Sequence, residues 1–252
     1  MKPLADRIAL VTGASRGIGR AIAVRLAQDG ALVGIHYRAE RDKAEQTLDD
    51  IRAAGGDGFL IAADLADPAG ATQLSEALIA ELRARRDPPQ FDILVNNAGI
   101  DDRKTIEQVT EADFDRMLQI NFKSPFFLIQ KLLPVIADGG RIINISSMAS
   151  RLSFPTMPVY APTKAALSTL SRVLAAHLGP RGITVNAVLP GATSTDLNPL
   201  SDPARAAAVR DSVALGRIAG PEDIAPVVAF LASKEGGWIT GETIEASGGQ
   251  RL

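Results

Sequence analysis

An α/β fold, with a parallel seven-stranded sheet covered by helices on both faces, is predicted by two features of this chain. Short apolar, β-rich runs alternate with longer helical patterns from one end to the other. Several of those runs carry almost no charge, as strands covered on both faces should. The 252 residues show no composition shift, Pro- or Ser-rich linker, internal repeat or low-complexity tract, so a single doubly wound domain over 1–252 is expected.

The elements follow in chain order. The run at 8–12 is an uncharged strand, and the helical pattern at 17–29 stops at Gly30. A strand at 32–36 leads to a helix at 43–54 stopped by Gly55, then to a strand at 58–62 and a helix at 69–85. Residues 93–96 form the next strand, followed by a long helical pattern at 111–136 and a strand at 141–146. A helix at 159–178 precedes Gly179, and a strand at 184–189 leads to helices at 204–213 and 221–232 and a last strand at 243–245. Gly30, Gly55 and Gly179 stand where a helix wants a left-handed residue after its last turn.

Composition excludes several functions. Lys plus Arg at 27 against Asp plus Glu at 29 gives a net charge of -2, which offers no bulk attraction for nucleic acid or an anionic membrane. With no Cys and two His, neither a thiol nucleophile nor a metal site is expected. No apolar run approaches the roughly 20 residues needed to span a bilayer, and the apolar stretch before Asp6 and Arg7 is too short for a signal peptide. A soluble, cytoplasmic protein is expected.

The segment Thr12-Gly-Ala-Ser-Arg-Gly-Ile-Gly19 follows the first strand and opens the first helix. Backbone N–H groups and the helix dipole there suit a pyrophosphate, and glycine removes the Cβ atoms that would hold it off. The spacing is G-x-x-x-G-x-G at Gly13, Gly17 and Gly19; a tight turn packed for its own sake is the plainer alternative. Downstream, Tyr160 and Lys164 stand at i and i+4, on one face of a helix, where a fixed cation is expected to lower the phenol's pKa.

Together with Asp64-Leu65, Asn96-Asn-Ala-Gly99, Pro190-Gly-Ala-Thr-Ser-Thr-Asp196, Ile239-Thr-Gly241 and Gly248-Gly249, in that order over essentially the whole chain, these blocks resemble the short-chain dehydrogenase/reductases. The resemblance implies a Rossmann-type fold and a nicotinamide cofactor. It implies cofactor contacts from Gly13, Ser15, Arg16, Gly17, Ile18 and Gly19 in the turn, and from Asp64 and Leu65 near the adenine. It adds Asn97, Ala98 and Gly99 behind the cofactor, and Pro190, Gly191, Thr193 and Thr195 over the nicotinamide. It assigns Asn121, Ser147, Tyr160 and Lys164 as catalytic, with Tyr160 and Lys164 also contacting the cofactor and Lys164 holding the nicotinamide ribose. It also implies that Asn121 disturbs its helix and holds a water joining the lysine to solvent.

The second strand selects the dinucleotide. Where an NAD site commonly has an acid, this chain has Tyr37 followed by Arg38, and Arg16 lies within reach of the same place. Cations suit a 2′-phosphate, so NADP(H) is preferred; Glu40 dilutes the field and NAD(H) stays open. Ser146 is read as a strand-end neighbour of Ser147, and Pro162 is tolerated if the helix starts close to Tyr160. Trp238 is expected in the core or at a subunit interface.

These readings converge on hydride transfer between NADP(H) and a carbonyl or secondary alcohol, as in 3-oxoacyl-thioester reductases or sugar dehydrogenases. A non-catalytic NADP-sensing regulator and a nucleotide-binding methyltransferase share the fold expectation, but neither explains Ser147, Tyr160 and Lys164 together. Met148, Arg151, Phe154 and residues 193–215, with Leu197 and Leu200, are expected to shape the substrate pocket. The resemblance also implies a homotetramer paired through the helices at 111–136 and 159–178 and through the C-terminal region.

Overall fold

Seven strands form one parallel sheet in the computed structural model, which describes residues 2–251. They are β1 (Ile8–Val11), β2 (Leu32–Tyr37), β3 (Asp57–Ala62), β4 (Phe91–Asn96), β5 (Ile136–Ile145), β6 (Thr184–Pro190) and β7 (Thr243–Ala246). The helices are α1 (Gly17–Gln28), α2 (Arg41–Ala53), α3 (Gly70–Arg83), α4 (Glu111–Leu118), α5 (Ser124–Leu132), α6 (Tyr160–Leu178), α7 (Pro203–Asp211) and α8 (Pro221–Ala232). The strand order is β3-β2-β1-β4-β5-β6-β7.

The period of two along each strand builds two cores. In β1, Ala9 and Val11 join one cluster with Ile22 and Leu26 of α1, Leu48 and Ile51 of α2, and Val228 and Leu231 of α8. Ile8 and Leu10 point the other way, onto Leu74, Leu78 and Leu82 of α3, Leu128 and Leu132 of α5, and Leu178 of α6. All four residues of β1 are buried, which explains the uncharged run. Cutting one of these fully buried leucines to alanine costs about 2–5 kcal/mol.

The chain walks outward from β1 to β3 and then returns to place β4 on the other side of β1. That reversal opens a crevice beyond the carboxyl ends of β1 and β4, where doubly wound sheets bind ligands.

Three expectations need correction. The helix expected at 111–136 is α4, a π turn at Gln119–Lys123, and α5, ending at Leu132; Ile136 instead begins β5, paired with Phe91 ahead of a register shift. Residue 125 is proline and has no N–H, so the carbonyl of Asn121 has no i+4 donor, and the Ser124 N–H reaches back to Gln119 O. Gly30 and Gly55 have positive φ as expected, but Gly179 has φ -52 and continues into a 3₁₀ turn; Gly182, at φ +65, makes the left-handed exit. Trp238 is 99% exposed, which rules out the core and leaves the subunit interface of the two places expected for it. Among the described residues no helix is long and apolar enough to cross a membrane, and no group of side chains is arranged to hold a metal ion.

Candidate active site

The crevice is a cavity of about 530 Å³, lined by every residue expected to bind a cofactor or to catalyse except Asn121, which stands behind its wall. That volume falls within the range of small-molecule sites. Its floor is the turn between β1 and α1. Gly13 and Gly17 have φ of +64 and +55, and a Cβ on Gly19 would lie 2.2 Å from Gly13 O. Nothing but glycine fits at the last position. Helix α1 has no side-chain cap at Arg16 and no acid in its first turn, so its free N–H groups suit a diphosphate.

Two residues hold this turn from behind. The Gly13 N–H donates to His36 Nδ1 at 3.0 Å, which leaves His36 Nε2–H to donate to Ala63 O at 3.1 Å. Burial pushes His36 down from 6.5 to about 4, so the ring is neutral at pH 7, as its accepting role requires. Asn97 donates its amide to Thr12 O (2.9 Å) and Gly13 O (3.1 Å), while Thr12 Oγ1 accepts from the Asn97 and Ala98 N–H groups. The amide of Asn97 therefore supports the turn, and the residue meets the cavity as wall. The support by His36 was missed in the sequence, where a histidine ending a strand gives no sign of it.

At the end of β2, Tyr37 is buried and Arg38 faces the cavity without a salt bridge among the described residues. Arg16 is less free than expected: it pairs with Glu40, which Lys43 also holds at 2.7 Å. Asp196, from the loop after β6, lies 3.9 Å from Arg16 and 4.0 Å from Lys43. Thr195 of that loop approaches Gly17, so the loop meets the glycine turn across the groove.

The catalytic candidates converge at the opposite end. Ser147 follows β5, and its Oγ accepts from the Ala149 N–H at 3.1 Å. Tyr160 is the first residue of α6, which places Pro162 harmlessly in the first turn. Lys164 is buried, its Nζ 5.8 Å from the Tyr160 ring centre and donating to Ile145 O at 2.8 Å.

Lys164 does not lower the phenol's pKa as expected. Burial pushes Tyr160 up to about 12, against the opposing hydrogen bond from Ser147, and pushes Lys164 down to about 8. Ser146 hydrogen-bonds Lys164 O at 2.8 Å and accepts from Ser168, consistent with a strand-end role.

Asn121 lies fully buried in the π turn; its Nδ2 donates to Ile100 O and its Oδ1 accepts from Ile100 N–H, both at 2.9 Å. A Cβ on Gly99 would lie 3.2 Å from both Asn121 Oδ1 and Lys164 Nζ. With the amide occupied, the main-chain carbonyl of Asn121 is the group left for a water.

Beyond the catalytic end the cavity is lined by Phe154, Met157, Leu197, Leu200 and Val209, with Arg103 and Arg205. Arg151, expected here, instead pairs with Glu245 of β7 and does not line the cavity. Asp101, Arg103 and Met157 were missed because they lie on loops whose course only the fold reveals.

A family profile described as enoyl-(acyl carrier protein) reductase matches residues 13–251. An uncharacterised oxidoreductase of Methylorubrum extorquens is 41% identical over 254 residues, covering 100% of each chain. The 3-oxoacyl-(acyl-carrier-protein) reductase FabG of Staphylococcus epidermidis is 38% identical over 250 residues, covering 98% of this chain and 100% of its own. The crystal structure of the angucycline C-6 ketoreductase LanV with bound NADP matches with a TM-score of 0.96 at 44% identity, over 99% of this chain and 97% of that one. A short-chain dehydrogenase/reductase of Serratia marcescens matches with a TM-score of 0.92 at 39% identity, over 99% and 100%. With the sheet order, the crevice at its reversal and these matches in agreement, the chain belongs to the short-chain dehydrogenase/reductase family of oxidoreductases, which act on ketone and alcohol groups.

Proposed function

We propose that this enzyme uses NADPH to reduce the ketone of a hydrophobic substrate to a secondary alcohol. The observation that carries the reading is the convergence of Ser147, Tyr160 and Lys164 at one end of a cavity whose other end is the glycine turn and Arg38. Arg38 faces the cavity with no salt bridge among the described residues, whereas Arg16 and Lys43 are tied to Glu40 and Asp196; that uncompensated cation favours a 2′-phosphate, and NADP is bound in the structures of LanV. NAD(H) is the weaker fit.

NADPH, when bound, supplies the hydride. The hydroxyls of Ser147 and Tyr160 donate hydrogen bonds to the substrate oxygen, and Tyr160 gives its proton to the alkoxide as it forms. Burial keeps the phenol protonated at neutral pH, which suits a proton donor. Lys164, charged at pH 7, lies on the path by which the phenolate recovers a proton, and the Asn121 carbonyl supports the water that completes that path.

Phe154, Met157, Leu197 and Leu200 favour an apolar ketone, so the two substrate classes that the relatives' names carry, angucycline ketones and 3-oxoacyl-(acyl-carrier-protein) thioesters, come first. Exposed Phe114, Phe126, Phe127 and Val173 on α4, α5 and α6 support pairing of subunits in a homotetramer. A cytoplasmic site of action, as expected for a FabG-like enzyme, completes the reading.

The test is NADPH and NADH oxidation, followed by absorbance, against both classes, with Tyr160→Phe as control. NADPH-linked turnover that disappears in the variant is expected. Turnover that survives in Tyr160→Phe overturns the assignment.

A further inference from the structure

Asp101 is the acidic side chain at the catalytic end of the cavity; the other acids lining it, Glu40, Asp64 and Asp196, belong to the cofactor end. Its place is fixed from two sides. The preceding residue, Ile100, has both its N–H and its C=O held by Asn121. Asp101 Oδ2 accepts from Arg103 Nε at 3.2 Å. The side chain is 10% exposed, and Oδ1 is buried with no hydrogen-bond partner. An orphaned carboxylate oxygen is costly and calls for a reason.

Lys164 presents the complementary problem. It is a buried cation that makes no salt bridge among the described residues, and its one hydrogen bond goes to the neutral carbonyl of Ile145. We propose that Asp101 is a positioning residue of the active site: its buried carboxylate is the counter-charge that keeps Lys164 an ammonium and Tyr160 a phenol, the two protonated forms that ketone reduction requires.

The surrounding charges support this assignment. Asp101 is the group that opposes the effect of burial on Lys164, and it adds to that effect on Tyr160. Arg103 acts on Tyr160 in the opposite sense. Asp102 and Arg205 are the remaining charges facing Asp101, one of each sign. Burial pushes Asp101 above the ordinary carboxylate range, and the Arg103 guanidinium beside it opposes that rise in favour of the carboxylate. The pair Asp101–Arg103 therefore biases the catalytic tyrosine and lysine without touching the reacting atoms.

The inference rests on the reading of Tyr160 as proton donor, and the test separates the two. In Asp101→Asn, a nearly isosteric change, the Lys164 ammonium is titrated by ¹⁵N NMR in the NADP⁺-bound enzyme, with Lys164→Arg to assign the signal. The expected result is loss of the proton at lower pH than in the wild type. The pH dependence of NADPH-linked ketone reduction supplies the second readout: its alkaline limb is expected to move to lower pH in Asp101→Asn. It is expected to move to higher pH in Arg103→Gln, a change on a half-buried side chain. Shifts of opposite sign do not arise from general damage to the fold. An unchanged Lys164 titration overturns the inference even if turnover is normal, as does a uniform loss of rate at every pH in both variants. Absence of ketone reduction with the Lys164 shift present contradicts the functional reading and leaves the counter-charge standing.

Discussion

Lowering the pH from 7 towards 4 is expected to remove about 3 kcal/mol of stability through His36 alone. The ring must stay neutral to accept the Gly13 N–H, and burial holds its folded pKa at about 4 against 6.5 for the free side chain. Above pH 6.5 neither state carries the proton and the contribution is complete. Between 6.5 and about 4 the unfolded chain binds a proton that the folded chain refuses, so stability falls with pH. That gap, at about 1.4 kcal/mol per pH unit, amounts to about 3.5 kcal/mol in full, of which about 3 kcal/mol is lost by pH 4, where the folded ring is itself half protonated.

In a protein of this size such a loss lowers Tm by roughly 6–12 °C. The assay is thermal unfolding of the wild type and His36→Asn across this range. The variant keeps an acceptor but no titrating ring, so the difference between the two cancels the carboxylates common to both. The stability advantage of the wild type should shrink as pH falls. Parallel curves would falsify the tautomer and the burial argument together.

Other perturbations follow from the same geometry. Gly19→Ala places a Cβ against Gly13 O, where 2.2 Å is available, so NADPH affinity should fall at least about tenfold in a direct titration, a loss of about 1.4 kcal/mol. Arg38→Ala should weaken NADPH by about ten- to a hundredfold, the worth of one charge-assisted hydrogen bond, and leave NADH nearly unchanged; equal losses would contradict the placement of the 2′-phosphate. Asp92 accepts from Arg7 Nη1 at 2.7 Å and from the Ile8 N–H at 2.8 Å, tying the start of β1 to β4. Asp92→Ala should therefore cost on the order of 2–3 kcal/mol in denaturant unfolding, with kcat of the folded enzyme intact.

The sheet was legible because covered strands need apolar residues at both parities, and β1, with all four residues buried, is the plainest case. The glycine turn was legible because positive φ and lack of space leave few other residues to choose from. Two kinds of feature were not. Helical periodicity runs through Gln119–Lys123, so the pattern alone read one long helix; the resemblance had marked Asn121 as disturbing that helix, and the missing N–H of Pro125 supplies the physical reason for the π turn there. Electrostatic balance was also hidden. The i, i+4 spacing correctly put Lys164 beside Tyr160, but the sign of the phenol's pKa change depended on burial, which spacing does not encode. Glu40 was expected only to dilute the field around Arg16; that the two pair directly was hidden because Glu40 stands 24 residues away and meets Arg16 only after β2 folds alongside β1.

The most direct test of hydride transfer with Tyr160 as proton donor is to supply NADPH deuterated at the transferring carbon to the enzyme with a reducible ketone and analyse the product by mass spectrometry. One deuterium on the carbinol carbon, absent from the Tyr160→Phe reaction, is the predicted result. An alcohol that carries no deuterium, or the same labelled yield from the variant, would contradict it.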